Sequence, residues 1–188
     1  MKKSLFAVTI IGFGLLNGAQ QTQTQQITQE GLSYIKQLGA TLKSELKKRL
    51  QADKTGLEAI NFCAEKAQAI TAEVNKKLPS HVKVRRTALK VRNLANRPDK
   101  TDTEVMQAYA TKAEEGKLSP KEIVTVKTEA GYRVYKPLLI QKVCLKCHGK
   151  QVAPRITETI KRYYPKDAAM GFKEGDFRGV IVAEIKRK

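Results

Sequence analysis

The stretch Ile123-Val124-Thr125-Val126-Lys127-Thr128-Glu129-Ala130-Gly131-Tyr132-Arg133-Val134-Tyr135-Lys136-Pro137-Leu138-Leu139-Ile140 reads as a β-hairpin. Two runs rich in β-branched and aromatic residues, 123–128 and 132–140, flank Glu129-Ala130-Gly131, and the glycine suits a tight reversal. A hairpin implies an antiparallel sheet, so the remaining elements are read around it.

Downstream, Pro154 to Tyr164 predicts a helix with proline at its first position. A glycine-containing loop, 165–175, then leads to a last strand over Gly179 to Ile185. Upstream, Thr101 and Glu104 have capping-box spacing and open a short helix through Glu115. Between Val82 and Arg92 the parity of apolar residues changes, which predicts an extended segment with a bulge near Arg86. Two amphipathic helices come first. Leu32, Ile35, Leu38, Leu42, Leu46 and Leu50 share a face over 28–52, and Leu57, Ile60, Cys63, Ala67, Ile70 and Val74 do so over 57–77. Pro79 ends the second, and the polar run Gln20 to Gln29 reads as a flexible leader. This order gives an α+β domain with a small antiparallel sheet flanked by helices and a helical N-terminal extension.

Residues 1–19 have the build of a secretory signal peptide. Lys2 and Lys3 precede the apolar stretch Leu5 to Leu16, and Gly18-Ala19 supply small residues for cleavage. An uncleaved anchor is the alternative. The expected organisation is a signal peptide over 1–19, a leader and helix over 20–52, and the main domain over 53–188. The expected place is the periplasm. The chain carries a formal charge of +18. Export argues against nucleic acid as the partner. An anionic membrane surface, an acidic protein, a bound anionic group and a simply solvated surface remain.

Cys144-Leu145-Lys146-Cys147-His148 follows the hairpin directly. Cys-x-x-Cys-His is the spacing of c-type haem attachment: two thiols can each bond one vinyl group, and the adjacent imidazole reaches the iron. A thioredoxin-like dithiol, a zinc site and a structural disulfide are the competing readings. The first wants a helix N-terminus to lower a thiol pKa, whereas a strand is expected just before the motif. The second wants four ligands. The expected cofactor is one covalently bound haem c. The other axial position could fall to His81, Met106, Met170, Cys63, a lysine or no protein group. Cys63 also reads as an ordinary core cysteine on the apolar face of its helix.

The chain resembles a bacterial family of single-haem c-type proteins with a PAS-like sensor fold. The resemblance spans about Ile60 to Val180. It rests on Cys63-Ala64-Glu65-Lys66-Ala67, on Arg85-Arg86-Thr87-Ala88-Leu89-Lys90-Val91-Arg92-Asn93, and on Tyr135-Lys136-Pro137-Leu138. It continues through the haem motif with Gly149, Tyr164-Pro165, and Gly171-Phe172-Lys173-Glu174-Gly175-Asp176-Phe177-Arg178-Gly179. The sequence departs from that pattern at Leu94, where the family often has proline. The resemblance implies iron held by His148 and Cys63, and a redox or small-ligand sensor. With two such ligands and only two histidines in the chain, an enzyme such as a peroxidase is the least favoured reading. A thiolate ligand donates electron density and lowers the potential.

Arg85, Arg86 and Lys136 are candidate contacts for the haem propionates. Neighbouring strand residues point to opposite faces, so at most one of the two arginines reaches the site. A periplasmic electron carrier docking to an acidic redox partner is the alternative function. A signalling protein is the partner expected of the sensor.

Overall fold

The computed structural model describes the backbone of residues 13–187 and side chains from residue 20 to 187. Residues 1–12 of the expected signal peptide lie outside that range. The elements are α1 (Phe13–Ala52), α2 (Leu57–Glu65), α3 (Ala67–Lys76), β1 (Val82–Thr87), α4 (Lys100–Glu114), β2 (Val124–Thr128), β3 (Gly131–Leu139), α5 (Leu145–His148), α6 (Pro154–Tyr163) and β4 (Phe177–Lys186). The four strands form one antiparallel sheet in the order β1-β4-β3-β2. The α+β class, the small antiparallel sheet and the flanking helices are as expected.

The chain's last strand lies inside the sheet, and its sequence shows why. Successive residues point to opposite faces, and both faces of β4 are apolar. Ile181, Ala183 and Ile185 join Ile35, Leu38, Leu42, Val74, Val84 and Val134 in a core under α1 and α3. Val180 and Val182 join Met106, Tyr109 and Tyr135 under α4. Helices therefore cover the sheet on both sides. On the α4 face, fully buried Asp102 is held by both terminal nitrogens of Arg85, at 2.9 and 3.0 Å, and by the Tyr135 hydroxyl at 3.0 Å.

Several boundaries differ from the sequence reading, each for a packing reason. Helix α1 takes in the run 20–29 that reads as a flexible leader. Ile27 is buried in the sheet-facing core, and the Thr28 hydroxyl meets that of Thr125 at 2.7 Å. The stripe on this helix is Ile27, Gly31, Ile35, Leu38 and Leu42, whereas Leu46 and Leu50 are only half-buried. The second helix divides at Lys66 into α2 and α3. Both halves pack on α1, but α2 also meets α6 whereas α3 also meets β1. Strand β1 stops at Thr87 in regular register with β4. The register shift falls instead between Leu138 and Leu139 of β3. The capping box of α4 is built from Asp99 and Asp102, because the helix starts ahead of Thr101.

Gly31 sets how closely α1 lies on the sheet. A Cβ there would stand 2.5 Å from Val134 Cγ2. At Gly39 it would meet only the flexible tip of Ile181, at 3.2 Å. Gly31→Ala is expected to destabilise the fold by about 1–3 kcal/mol, the usual cost of overpacking. Gly39→Ala should be neutral or stabilising by up to about 1 kcal/mol through helix propensity. Urea unfolding of both variants checks the pair; equal midpoints would mean that α1 is not seated by Gly31.

Candidate functional site

Strand β3 delivers the chain directly to the cysteine motif. The Ile140 amide donates to the Asp176 carbonyl and the Gly175 amide to the Ile140 carbonyl, both at 2.9 Å, so the turn before β4 clamps this approach. Residues 142–144 then form a 3-10 turn and α5 a single α-helical turn. Cys144 therefore stands at a helix start, where the sequence reading expects only a strand before the motif. The helical spacing brings Cys144 and Cys147 to one side with His148 next in sequence. Gly149 ends the turn because there is no room for a side chain: its Cβ would lie 2.6 Å from the Leu145 carbonyl. The Phe172 amide donates to His148 O at 2.9 Å, and the Gly171 amide to Gly149 O at 3.1 Å. The loop between α6 and β4 is thus laid along the motif.

All three cysteines are free thiols. Cys63, on α2, and Cys147 pack against the same buried cluster of Ile60, Ile156 and Ile160. Cys144 packs against Ile140, Ala169 and Phe172. The Tyr164 hydroxyl donates to the Cys63 carbonyl at 3.2 Å, fixing the backbone that carries this cysteine. Burial pushes the Cys147 thiol up to about 11 and raises that of Cys63, against the pull of nearby arginines. A dithiol oxidoreductase needs the opposite, a stabilised thiolate. Among the described residues no group of three or more His, Cys, Asp or Glu side chains is placed to hold a metal ion.

His148 is held as a neutral imidazole. Its Nδ1 lies 2.7 Å from the Ala169 carbonyl. A carbonyl can only accept, so Nδ1 carries the proton and Nε2 keeps its lone pair. Burial, then the charges of Arg92 and Arg178, push the imidazole pKa down to about 3, outweighing the bond to Ala169. The Phe172 ring stands edge-on to the imidazole at 6.2 Å.

Three guanidinium groups converge on these residues. Arg92 is buried and paired with Asp167 at 3.0 Å. Arg178 donates to the Lys90 carbonyl at 3.0 Å and lies over the Phe172 ring. Burial and the charge of Arg92 lower its pKa to about 10. Arg86 is half-buried, with Nε wholly buried and without a partner. Burial lowers its pKa too, and its charge acts on the Cys63 thiol. A buried donor left unpaired costs about 1–3 kcal/mol. The lobe thus holds more positive charge than its own carboxylates compensate.

The structure brings Cys63, Cys144, Cys147, His148 and Arg86 together, but not Arg85 or Lys136. Arg85 turns to the other face, toward Asp102 and Glu184. Lys136 donates to the Pro120 carbonyl at 2.6 Å. The other axial candidates separate as well. His81 lies 3.5 Å from Glu30, and Met106 is buried on the sheet-facing side of α4. Met170 stays near, half-buried beside Ala169. Sequence reasoning assigns no role to Arg92, Asp167, Ala169, Tyr164 or Arg178. Four of these lie inside or beside motifs that carry the family resemblance, which is the signal available for them; Ala169 acts through its backbone and leaves none.

The signature of the Tll0287-like family matches residues 19–185. The fold is similar to the crystal structure of the cyanobacterial haem protein Tll0287, with a TM-score of 0.52 and 24% sequence identity. That likeness covers 79% of this chain and 92% of the other. No curated protein matches the chain.

The unpaired Arg86 leads to a stability prediction for the protein without any bound group. Arg86→Met keeps length and removes the buried charge, so it should raise the unfolding free energy by about 1–2 kcal/mol. Denaturant unfolding of the unloaded chain measures this, and a loss of stability would mean that Arg86 has partners of its own.

Proposed function

The chain belongs to the Tll0287-like family, and on that premise we propose that it is an exported protein holding one covalent haem c, with no enzymatic role of its own. Cys144 and Cys147 would form the thioethers, each S–H adding across one vinyl group. His148 and Cys63 would bind the iron. When bound, the haem supplies a one-electron iron couple. The observation that carries this reading is His148 itself: a neutral imidazole with Nδ1 committed to Ala169 and Nε2 free, one residue after Cys147.

The remaining residues fit such a group. Haem brings two carboxylates, and this lobe has surplus guanidinium charge with a buried, partnerless Arg86 Nε. Arg86 and Arg178 are therefore the assigned propionate contacts, in place of Arg85 and Lys136. Apolar side chains of Ile60, Ile156, Ile160 and Phe172 flank the half-buried thiols, and Phe172 also flanks the imidazole.

We read the role as sensing of redox state or a small ligand in the periplasm. A thiolate and an imidazole as iron ligands would favour a low potential and ready exchange of the sulfur ligand. The signal would pass to a separate protein. Electron transfer is the second reading, and one observation favours it. The lobe formed by residues 88–97 and 140–176 carries eleven basic and four acidic residues, and Val143, beside Cys144, is 44% exposed. An apolar point within a basic surface suits an acidic protein partner. An anionic membrane surface is the alternative for that charge; nucleic acid is not a partner in this reading.

The test is the exported protein made alongside haem-attachment machinery. Intact mass should show one haem, and Cys144→Ala with Cys147→Ala should lose it. Recovery of the chain without haem would sink the proposal. Cys63→Ser should keep the haem attached but change the low-spin EPR signal; an unchanged signal removes Cys63 from the iron. Spectroelectrochemistry with carbon monoxide then separates the roles. A negative potential with carbon monoxide bound after reduction is expected of the sensor. A potential well above zero with no binding is expected of the carrier.

A further inference from the structure

We infer that Arg92 is a positioning residue that sets how strongly His148 binds iron, acting through the Ala169 carbonyl. The inference rests on the haem reading above and extends it to a residue that would not touch the haem itself.

The geometry is a closed frame. Arg92 Nη2 donates to the Cys147 carbonyl at 2.7 Å and to the Ala169 carbonyl at 3.1 Å. Arg92 Nε and Nη2 also grip the two carboxylate oxygens of Asp167, at 3.1 and 3.0 Å, so the two Nη2 hydrogens serve three acceptors and one of them is shared. Asp167 in turn accepts the Ala169 amide at 2.9 Å, and the Ala168 amide donates to the Val91 carbonyl at 2.9 Å. One guanidinium therefore joins three segments: its own loop, the end of α5, and the loop that faces His148. The side chains of both Arg92 and Asp167 are more than nine-tenths buried.

Ala169 is the point of coupling. Its carbonyl oxygen accepts from His148 Nδ1 at 2.7 Å and from Arg92 Nη2. A carbonyl has two lone pairs, so both bonds form together. The group that accepts from a ligating imidazole tunes its basicity. An oxygen already polarised by a cation draws less on the imidazole N–H, so Nε2 donates less to iron. Arg92 thus fixes the ring's position and tempers its donor strength. A lysine carries the same charge but presents a single ammonium. It cannot span Cys147, Ala169 and both oxygens of Asp167 at once.

That difference separates positioning from plain charge. In the haem-loaded protein, Arg92→Lys and Arg92→Ala should both lower the reduction potential and alter the low-spin EPR g-values. Charge alone would leave Arg92→Lys at the native potential. Native potential and native g-values in Arg92→Lys overturn the inference. A second readout uses the unloaded chain and needs only the milder variant to fold. Nitrogen–proton correlation spectra of histidine should show His148 as the Nδ1–H tautomer in the native chain. In Arg92→Lys the Nδ1 proton should move downfield, because the Ala169 carbonyl then draws more on it. An unmoved proton resonance there would also overturn it. A native chain that takes up no haem sinks the haem reading alone, and the histidine spectra then decide Arg92 by themselves.

Discussion

The structure depends on one strand being buried on both of its faces. β4 contributes Ile181, Ala183 and Ile185 to one core and Val180 and Val182 to the other. Glu184 is the one polar residue between Val180 and Ile185, and it pairs with Arg85, so no polar alternation marks a solvent side. It must therefore sit between neighbours in the sheet and beneath helices on both sides. From that constraint follow the order β1-β4-β3-β2, the α1 and α3 layer, and the opposing α4 layer. Burying these side chains is the main favourable term available to a domain of this size.

The cysteine lobe is organised on another principle. It has two small clusters of its own, around Ile60, Ile156 and Ile160 and around Ile140, Ala169 and Phe172. Between them run hydrogen bonds from arginine and histidine to backbone carbonyls. Groups that would stabilise a bare fold are replaced by converging positive charge and an unpartnered guanidinium nitrogen. Such departures from good packing are expected where a protein keeps a place for something else. The adjacent pair Arg85 and Arg86 joins the two principles. One seals the buried Asp102 under α4, and the other faces the cysteines, because neighbouring strand residues point to opposite faces.

Much of this was legible in the amino-acid order. The hairpin 123–140, the helix opened by Pro154 and the final strand follow from local pattern, since turn chemistry and period-two alternation act over a few residues. The Cys-x-x-Cys-His spacing places two thiols and an imidazole together because one helical turn does so wherever it forms. The α+β class follows from the order of these elements. The length of α1 did not follow. Its N-terminal half is polar by composition and becomes helical against the sheet through Ile27, Gly31 and Thr28. The split at Lys66 was hidden as well, because a continuous apolar face gives no sign that its halves pack on different neighbours.

What the sequence determined by itself was therefore the local chemistry: the spacing of two thiols and an imidazole, and which segments are helix or strand. What only the tertiary structure decided was the company those residues keep. Arg92 meets Asp167 across 75 residues and Cys147 across 55. His148 meets the carbonyl of Ala169 across 21. A backbone carbonyl carries no residue-specific signature, and long-range partners are chosen by how two cores are covered. These contacts appear only once β4 has been placed between β1 and β3 and the loop before it has been drawn along the motif.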